Sequence, residues 1–447
     1  MNRSLRSPFD IRASVGKLEF SATLQINEQV RRASERGEPI LQMGFGQSPF
    51  PVHPRIQEAL AASADKNMYL PCAGLDELRS LALDYFAEKL GFDVSEFDVI
   101  VGPGSKELIY DVQLAVEGDL LLPVPSWVSY APQAMLATDQ IIKIPTTLAD
   151  DHHITSETLE KAILTAKEEG KNPRKLIINY PNNPSGLSLT QKRLKEIAEV
   201  CRQYRILVIS DEIYALVDYR QEHVSMACFY PEATIVTCSL SKHLSLGGYR
   251  LGIAILPKCE KQIFEAVVRV ASETWSATSA PVQHASVKAF EKHSDIEEYI
   301  DACTRIHGLV SGFVRDTVVS LGIDYPELHG AFFLYPNFGI FRKELGKARG
   351  IKTSEQLAKD LIDEVGLATL PGTAFGDEPE NLTLRLANCD FDGQAALENF
   401  RKHPDSTSES FVSGCCANIR LSVDKLCHYV STLHASRQAA GQGRSVK

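Results

Sequence analysis

Between residues 98 and 256, short apolar runs of about five residues alternate with longer stretches in which apolar positions recur every three or four residues. Such alternation predicts a mostly parallel sheet wrapped by helices, an α/β fold. Seven strands are predicted, at 98–101, 119–122, 140–144, 175–179, 206–210, 234–238 and 252–256. The stretch 190–204 illustrates the intervening helices: Leu194, Ile197, Ala198 and Cys201 fall on one face, and Thr190 is a suitable cap. Ligands of open parallel sheets bind beyond the carboxyl ends of the strands. Ser105, Trp127, Asn183, Asp211 and Lys242 follow the first, second, fourth, fifth and sixth predicted strands, so this topology gathers them on one rim.

A second, smaller α/β unit is expected after the helical stretch 294–316, where 330–334 and the Pro-Gly-Thr-Ala-Phe-Gly run at 371–376 bring new strand and turn signals. The predicted division is an N-terminal arm with part of the small domain at 1–50, a large domain at 51–320 and a C-terminal small domain at 321–447. The Ser-rich run 405–410 reads as an exposed loop, and the last ten residues as a frayed tail.

The formal net charge of −10 gives no electrostatic footprint for nucleic acid or an anionic membrane surface. No uninterrupted apolar run approaches the ~20 residues that span a bilayer. Neither nucleic acid nor membrane is therefore an expected partner, and small-molecule chemistry is. Ten cysteines without C-x-x-C pairs read as a reduced, mostly buried set, with Cys415 and Cys416 as two ordinary thiols. The first seven residues carry arginines and serines but no secretory apolar core, and Asp10 follows early, so a cytoplasmic location is expected.

The densest chemistry lies at 239–252, Ser-Leu-Ser-Lys-His-Leu-Ser-Leu-Gly-Gly-Tyr-Arg-Leu-Gly. The amine of Lys242 can condense with an aldehyde, while Arg250 can fork onto a phosphate beside the Ser239 and Ser241 hydroxyls. A second anion-binding turn, Gly-Pro-Gly-Ser-Lys at 102–106, joins a predicted strand to a predicted helix whose first amides face outward. Asp211 ends an apolar run, where a carboxylate without a partner is costly; it is either a helix cap or a site residue. Asn183 precedes it by 28 residues and Lys242 follows by 31, near the ~30-residue length of one βα unit.

The segment 239–252, with Ser-Asp-Glu-Ile-Tyr at 210–214 and Asn-Pro-Ser-Gly at 183–186, resembles the signatures of class I/II aminotransferases, enzymes of pyridoxal phosphate (PLP) fold type I. That resemblance implies pyridoxal 5'-phosphate as cofactor and Lys242 as its covalent anchor and general base. It implies that Asp211 holds the pyridine nitrogen and that Tyr214 and Asn183 bond the phenolic oxygen. Trp127 is the ring expected to stack on the pyridine, and Gly104, Ser105, Lys106, Ser239, Ser241 and Arg250 the phosphate cup. Tyr69 resembles a tyrosine that reaches the phosphate from a neighbouring subunit, which implies a homodimer. Arg385 is the expected fork for the substrate carboxylate, with Arg420 as a rival in a similar apolar setting; Gly46 and Asn183 resemble residues that meet the same substrate.

The implied reaction moves an α-amino group from an L-amino acid to a 2-oxo acid in two half-reactions. Lys106 resembles the lysine that one subgroup of aspartate aminotransferases uses for the distal carboxylate, which implies aspartate or glutamate as donor, whereas Trp275 and the pair Phe332 and Phe333 point to an aromatic or methionine-like one. A lyase, cyclase or oxidase on the same frame is the alternative. A non-enzymatic PLP-binding regulator ranks lower, since such regulators carry an added DNA-binding module.

Overall fold

The computed structural model describes residues 10–38, 40–137 and 139–442. In chain order its strands are β1 (Leu41–Gln42), β2 (Phe97–Gly102), β3 (Asp119–Val124), β4 (Ile141–Pro145), β5 (Pro173–Asn179), β6 (Leu207–Asp211), β7 (Thr234–Ser239), β8 (Gly252–Pro257), β9 (Phe333–Leu334), β10 (Leu367–Ala368), β11 (Leu370–Pro371) and β12 (Leu384–Ala387). The seven predicted strands are β2 to β8, and they form one sheet in the order β2-β8-β7-β6-β5-β3-β4. Strands β3 to β7 run parallel, and β8 lies antiparallel to both neighbours. Asp211 proves to be the last residue of β6 rather than the first beyond it.

Both faces of this sheet are covered, which is why its strands read as nearly continuous apolar runs instead of alternating ones. One face packs Leu121, Leu176 and Val208 with the helix Gln191–Tyr204, and the other packs Leu120, Ile177 and Ile209 with the helix Ser105–Ala115. The helix at 191–204 forms as the pattern predicts. The Thr190 side chain accepts from the Arg193 amide at 3.3 Å, and Leu194, Ile197, Ala198 and Cys201 are buried.

A smaller antiparallel sheet, β11-β12-β9, and the parallel pair β1-β10 lie outside the large sheet. Leu41 pairs with Leu367, so residues of the N-terminal fifty do join elements of the C-terminal part. Between them runs the long helix Ser294–Ser320.

Two terminal expectations change. The Thr407 side chain accepts from the Ser410 amide at 3.2 Å and starts the helix Ser408–Cys415, so half of the expected Ser-rich loop is helical. Serine and threonine are poor inside helices but good at their starts, and composition alone does not separate the two. The final helix, Ala417–Gln442, runs through half of the expected frayed tail; 443–447, like the N-terminal 1–9, lie outside the described residues. The Cys415 and Cys416 sulfurs are 3.8 Å apart and form no disulfide. Cys201, Cys238, Cys303, Cys389 and Cys416 are buried, whereas Cys259 is exposed. No helix among the described residues is long and apolar enough to cross a membrane.

One buried group yields a stability test. The Asp111 carboxyl is enclosed between helices, with one oxygen accepting from Trp275 Nε1 at 3.1 Å and the other unpartnered. Burial pushes it up to about 7. A carboxyl raised in the folded state favours folding below its unfolded pKa and loses that contribution as pH rises to the folded value, here on the order of 4 kcal/mol. Asp111→Asn, which keeps an acceptor for Trp275, should melt at a higher temperature than wild type at pH 8. The gap should close toward pH 4, and thermal scans at both values check it.

Candidate active site

The carboxyl ends of the parallel strands open into a cavity of about 330 Å³. At its cationic end the helix Ser105–Ala115 begins on Gly104, whose φ of 103° favours glycine, and no side chain caps it. Arg250 lies across this start, donating to the Pro103 carbonyl at 3.2 Å and the Gly247 carbonyl at 2.9 Å. A Cβ on Gly104 would meet Arg250 Nη2 at 2.2 Å, and one on Gly252 would meet the Gly104 carbonyl carbon at 2.3 Å. The two glycines are thus what let a guanidinium lie over uncapped amides, an arrangement suited to phosphate. Ser241 lines the cavity, with Ser239 behind it at 2.6 Å between hydroxyl oxygens. Lys106 extends over the Trp127 ring, 5.1 Å from its centroid.

At the centre, the Asp211 carboxylate accepts from Tyr130 at 2.5 Å and Thr237 at 3.2 Å. Burial raises it to about 6, with both hydroxyls and the amine of Lys242 opposing the rise. Asn179 donates to the Asp211 carbonyl at 2.8 Å and accepts from the Asn183 amide at 2.8 Å, which ties the ends of β5 and β6 together. Lys242 donates to the Gly46 carbonyl at 3.2 Å and sits 5.5 Å from the Tyr214 ring centroid and 5.6 Å from that of Phe332. Burial lowers its amine to about 8.

At the far end, Arg385 on β12 is 1% exposed, stacked between the rings of Phe333 and Phe375 at 4.7 and 5.1 Å. It donates to the Gly44 carbonyl at 2.6 Å and the Asn183 side chain at 3.2 Å, and its Nε has no partner. No ion pair to it occurs among the described residues, and burial lowers its guanidinium to about 10. Asp211 is the one carboxylate among the described lining residues, against Lys106, Lys242, Arg250 and Arg385.

The cavity therefore brings together Gly46, Ser105, Lys106, Trp127, Asn183, Asp211, Tyr214, Ser241, Lys242, Arg250 and Arg385, with Gly104 and Ser239 directly behind. Tyr69 does not join them within one chain; its side chain stands 94% exposed. Arg420 lies on the helix Ala417–Gln442, partly exposed and paired with Glu409 and Asp424. Trp275, expected to narrow the pocket, instead turns away to Asp111, and of the two phenylalanines Phe333 lines the cavity while Phe332 packs beneath Lys242. Tyr130, Asn179 and Thr237 escaped the sequence reading, as did Ser21, Thr23 and Leu24 of the N-terminal segment. Tyr130 lies three residues past Trp127 and Asn179 ends a predicted strand, so strand-end position was the available signal; the N-terminal residues offered none.

Residues 38–393 match the sequence profile of the family described as aminotransferase class I and II. The chain belongs to that family. Among relatives, an aspartate aminotransferase of Geobacillus stearothermophilus is 31% identical over 83% of this chain and 93% of its own length. An asparagine–oxo-acid transaminase of Streptococcus mutans is 27% identical over the same shares. The aspartate aminotransferase of Thermus thermophilus, solved with maleate, superposes with a TM-score of 0.79 over 94% of this chain and 99% of that one; at 21% identity this shows the shared fold. The protein is an aminotransferase, in a family that uses PLP, and its seven-stranded sheet is the large-domain sheet of fold type I.

Arg385, buried with no ion pair among the described residues, gives this aminotransferase a simple ligand test. A non-reactive dicarboxylate such as succinate should raise the melting temperature, in proportion to about 2.7 kcal/mol at a hundredfold excess over Kd. Arg385→Met should abolish that rise, measured by calorimetry across a succinate series.

Proposed function

We propose that this aminotransferase binds pyridoxal 5'-phosphate in the described cavity and transfers the α-amino group of an acidic L-amino acid, aspartate or glutamate, to a 2-oxo acid. The observation that carries the reading is the charge balance: four cationic side chains face one carboxylate, and the buried one, Arg385, lacks an anionic partner. The residues fit the cofactor. The helix start at Ser105, Ser241 and Arg250 match a phosphate, Asp211 a protonated ring nitrogen, Tyr214 and Asn183 a phenolic oxygen, and Trp127 a ring face. When bound, the cofactor supplies an aldehyde that condenses with amines and a ring that accepts the electron pair released at the substrate α-carbon.

The chain's own contribution follows from its geometry. Lys242 Nζ, with an amine lowered to about 8, is partly neutral at neutral pH and so serves as nucleophile and then takes the α-proton. Tyr130 and Thr237 keep the Asp211 carboxylate oriented and favour its ionised form. Arg385 orients the α-carboxylate, with Phe333 and Phe375 shutting water from its flanks. Lys106, whose ion-pairing capacity is unused among the described residues, is assigned the distal carboxylate of the donor, a reading that the removal of Trp275 from the pocket and the aspartate aminotransferase relatives both support.

The same reading assigns residues 51–320 to the cofactor-binding domain and 1–50 with 321–447 to the smaller one, supported by the pairing of β1 with β10. It also makes the active unit a homodimer, supported by the exposure of Tyr69, which a partner's site would cover.

Mixing the PLP-loaded protein with single amino acids and following cofactor absorbance tests the reading. Conversion to pyridoxamine phosphate, reversed by a 2-oxo acid, is expected; elimination or oxidised products would move the assignment to a lyase or oxidase. Lys242→Ala should abolish turnover. Lys106→Ala should lower kcat/KM for aspartate roughly tenfold relative to a neutral donor, and an unchanged preference would refute the acidic donor. Because raising pH deprotonates a lysine, the rate at which the cofactor-free protein takes up PLP covalently should climb with a midpoint near 8, not near the ordinary lysine value.

A further inference from the structure

Immediately after Asp211 the chain places a second buried carboxylate that the transamination reading does not use. The side chain of Glu212 is 0% exposed. It accepts from Ser210 Oγ at 2.7 Å, Ser225 Oγ at 2.7 Å, Tyr180 Oη at 3.2 Å and the Met226 amide at 3.3 Å, and lies 2.9 Å from His223 Nε2. His223 is itself buried and stacks on Tyr180, with ring centroids 4.9 Å apart and planes 19° apart.

Each of these partners belongs to a segment that carries a site residue or braces one. Tyr180 directly follows β5 and opens the turn that presents Asn183. The main chain of Glu212 joins Asp211 to Tyr214: its amide donates to the Thr237 carbonyl at 2.9 Å, and its carbonyl accepts from the Ala215 amide at 2.9 Å. Successive side chains at a strand end point to opposite sides, so while Asp211 faces the cavity, Glu212 reaches behind it. One carboxylate thereby fastens the Asn183 turn, the Asp211–Tyr214 turn and the 223–226 segment to one another. A buried charged network is a poor source of stability compared with apolar packing of equal volume, but it admits very few alternative arrangements of its partners.

We infer that Glu212 and His223 are positioning residues, which fix Asp211 and Tyr214 relative to Asn183 from the side opposite the cavity. The effect on the reaction rests on the cofactor reading given above; the coupling between the two turns does not.

Three variants separate the contributions. Glu212→Gln turns one acceptor oxygen into a donor that faces other donors, His223→Leu removes the imidazole donor, and His223→Gln keeps an N–H. In cofactor-free protein, hydrogen exchange in peptides covering 179–186 and 211–217 should rise roughly tenfold together in Glu212→Gln and His223→Leu, and stay near wild type in His223→Gln. In PLP-loaded protein the first two should shift the absorbance maximum of the lysine-bound cofactor. They should also slow the single-turnover half-reaction by roughly tenfold to a hundredfold, with donor KM changed less than about threefold. Exchange at the wild-type level, a rise confined to 211–217, or a uniform rise across the whole chain would overturn the inference, as would an unshifted absorbance with a native half-reaction rate. If wild type fails to take up PLP, the cofactor reading falls, and the exchange measurement still decides the role of Glu212.

Discussion

Withdrawing a guanidinium from water costs several kcal/mol unless an anion or well-placed dipoles compensate it. Arg385 is almost wholly withdrawn, and its compensation is partial: two oxygen acceptors, two aromatic faces and one unpartnered Nε. Lys242, lining the same cavity, is likewise held in low dielectric with a carbonyl as its hydrogen-bond acceptor. The folded chain therefore maintains two poorly compensated cations facing one carboxylate, and that arrangement depends on surroundings stable enough to bear it. A bound anion completes it, which couples ligand binding to the chain's own electrostatics.

The large sheet provides that stability. Its strands are buried on both faces, and the segments that carry the site residues leave from their carboxyl ends. Asp211 terminates β6, where the ladder to β7 places Thr237 beside it, and Tyr130 arrives from the helix Tyr130–Leu136 to supply the second donor. The hydroxyl pair explains how a carboxylate that burial drives upward still rests near 6 and remains mostly ionised at neutral pH. Behind it, the Glu212 network holds the reverse side of the same turn, so Asp211 is braced from both directions.

The smaller sheet contributes Arg385 from the opposite side, and Asn183 spans the two. Its amide is held by Asn179 of the large sheet, while its side chain accepts from Arg385 on β12. The cavity is thus built from segments more than 300 residues apart in sequence, with the Gly44 and Gly46 carbonyls joining from the N-terminal side.

Much of this was legible in the sequence because it is local. Strand runs such as 207–211 and the lysine segment at 239–252 carry their conformation and chemistry in consecutive residues, and regular βα spacing places Asn183, Asp211 and Lys242 at neighbouring strand ends. What the sequence left open was long-range. Arg385 and Arg420 both sit in apolar surroundings in the sequence, yet one faces the cavity and the other pairs with Glu409 at the surface, because helix phase and packing decide which face a residue presents. Trp275 looked like a pocket wall and became a partner of Asp111 for the same reason. Tyr130 and the N-terminal residues Ser21, Thr23 and Leu24 joined the cavity, and Thr237 the Asp211 carboxylate, through tertiary contact, which no periodicity encodes. The sequence by itself determined the sheet, its strand ends and the reactive lysine, since these follow from hydrophobic period and nearest neighbours. Only the tertiary structure decided which cation is buried without a partner, because burial is a property of how distant segments pack.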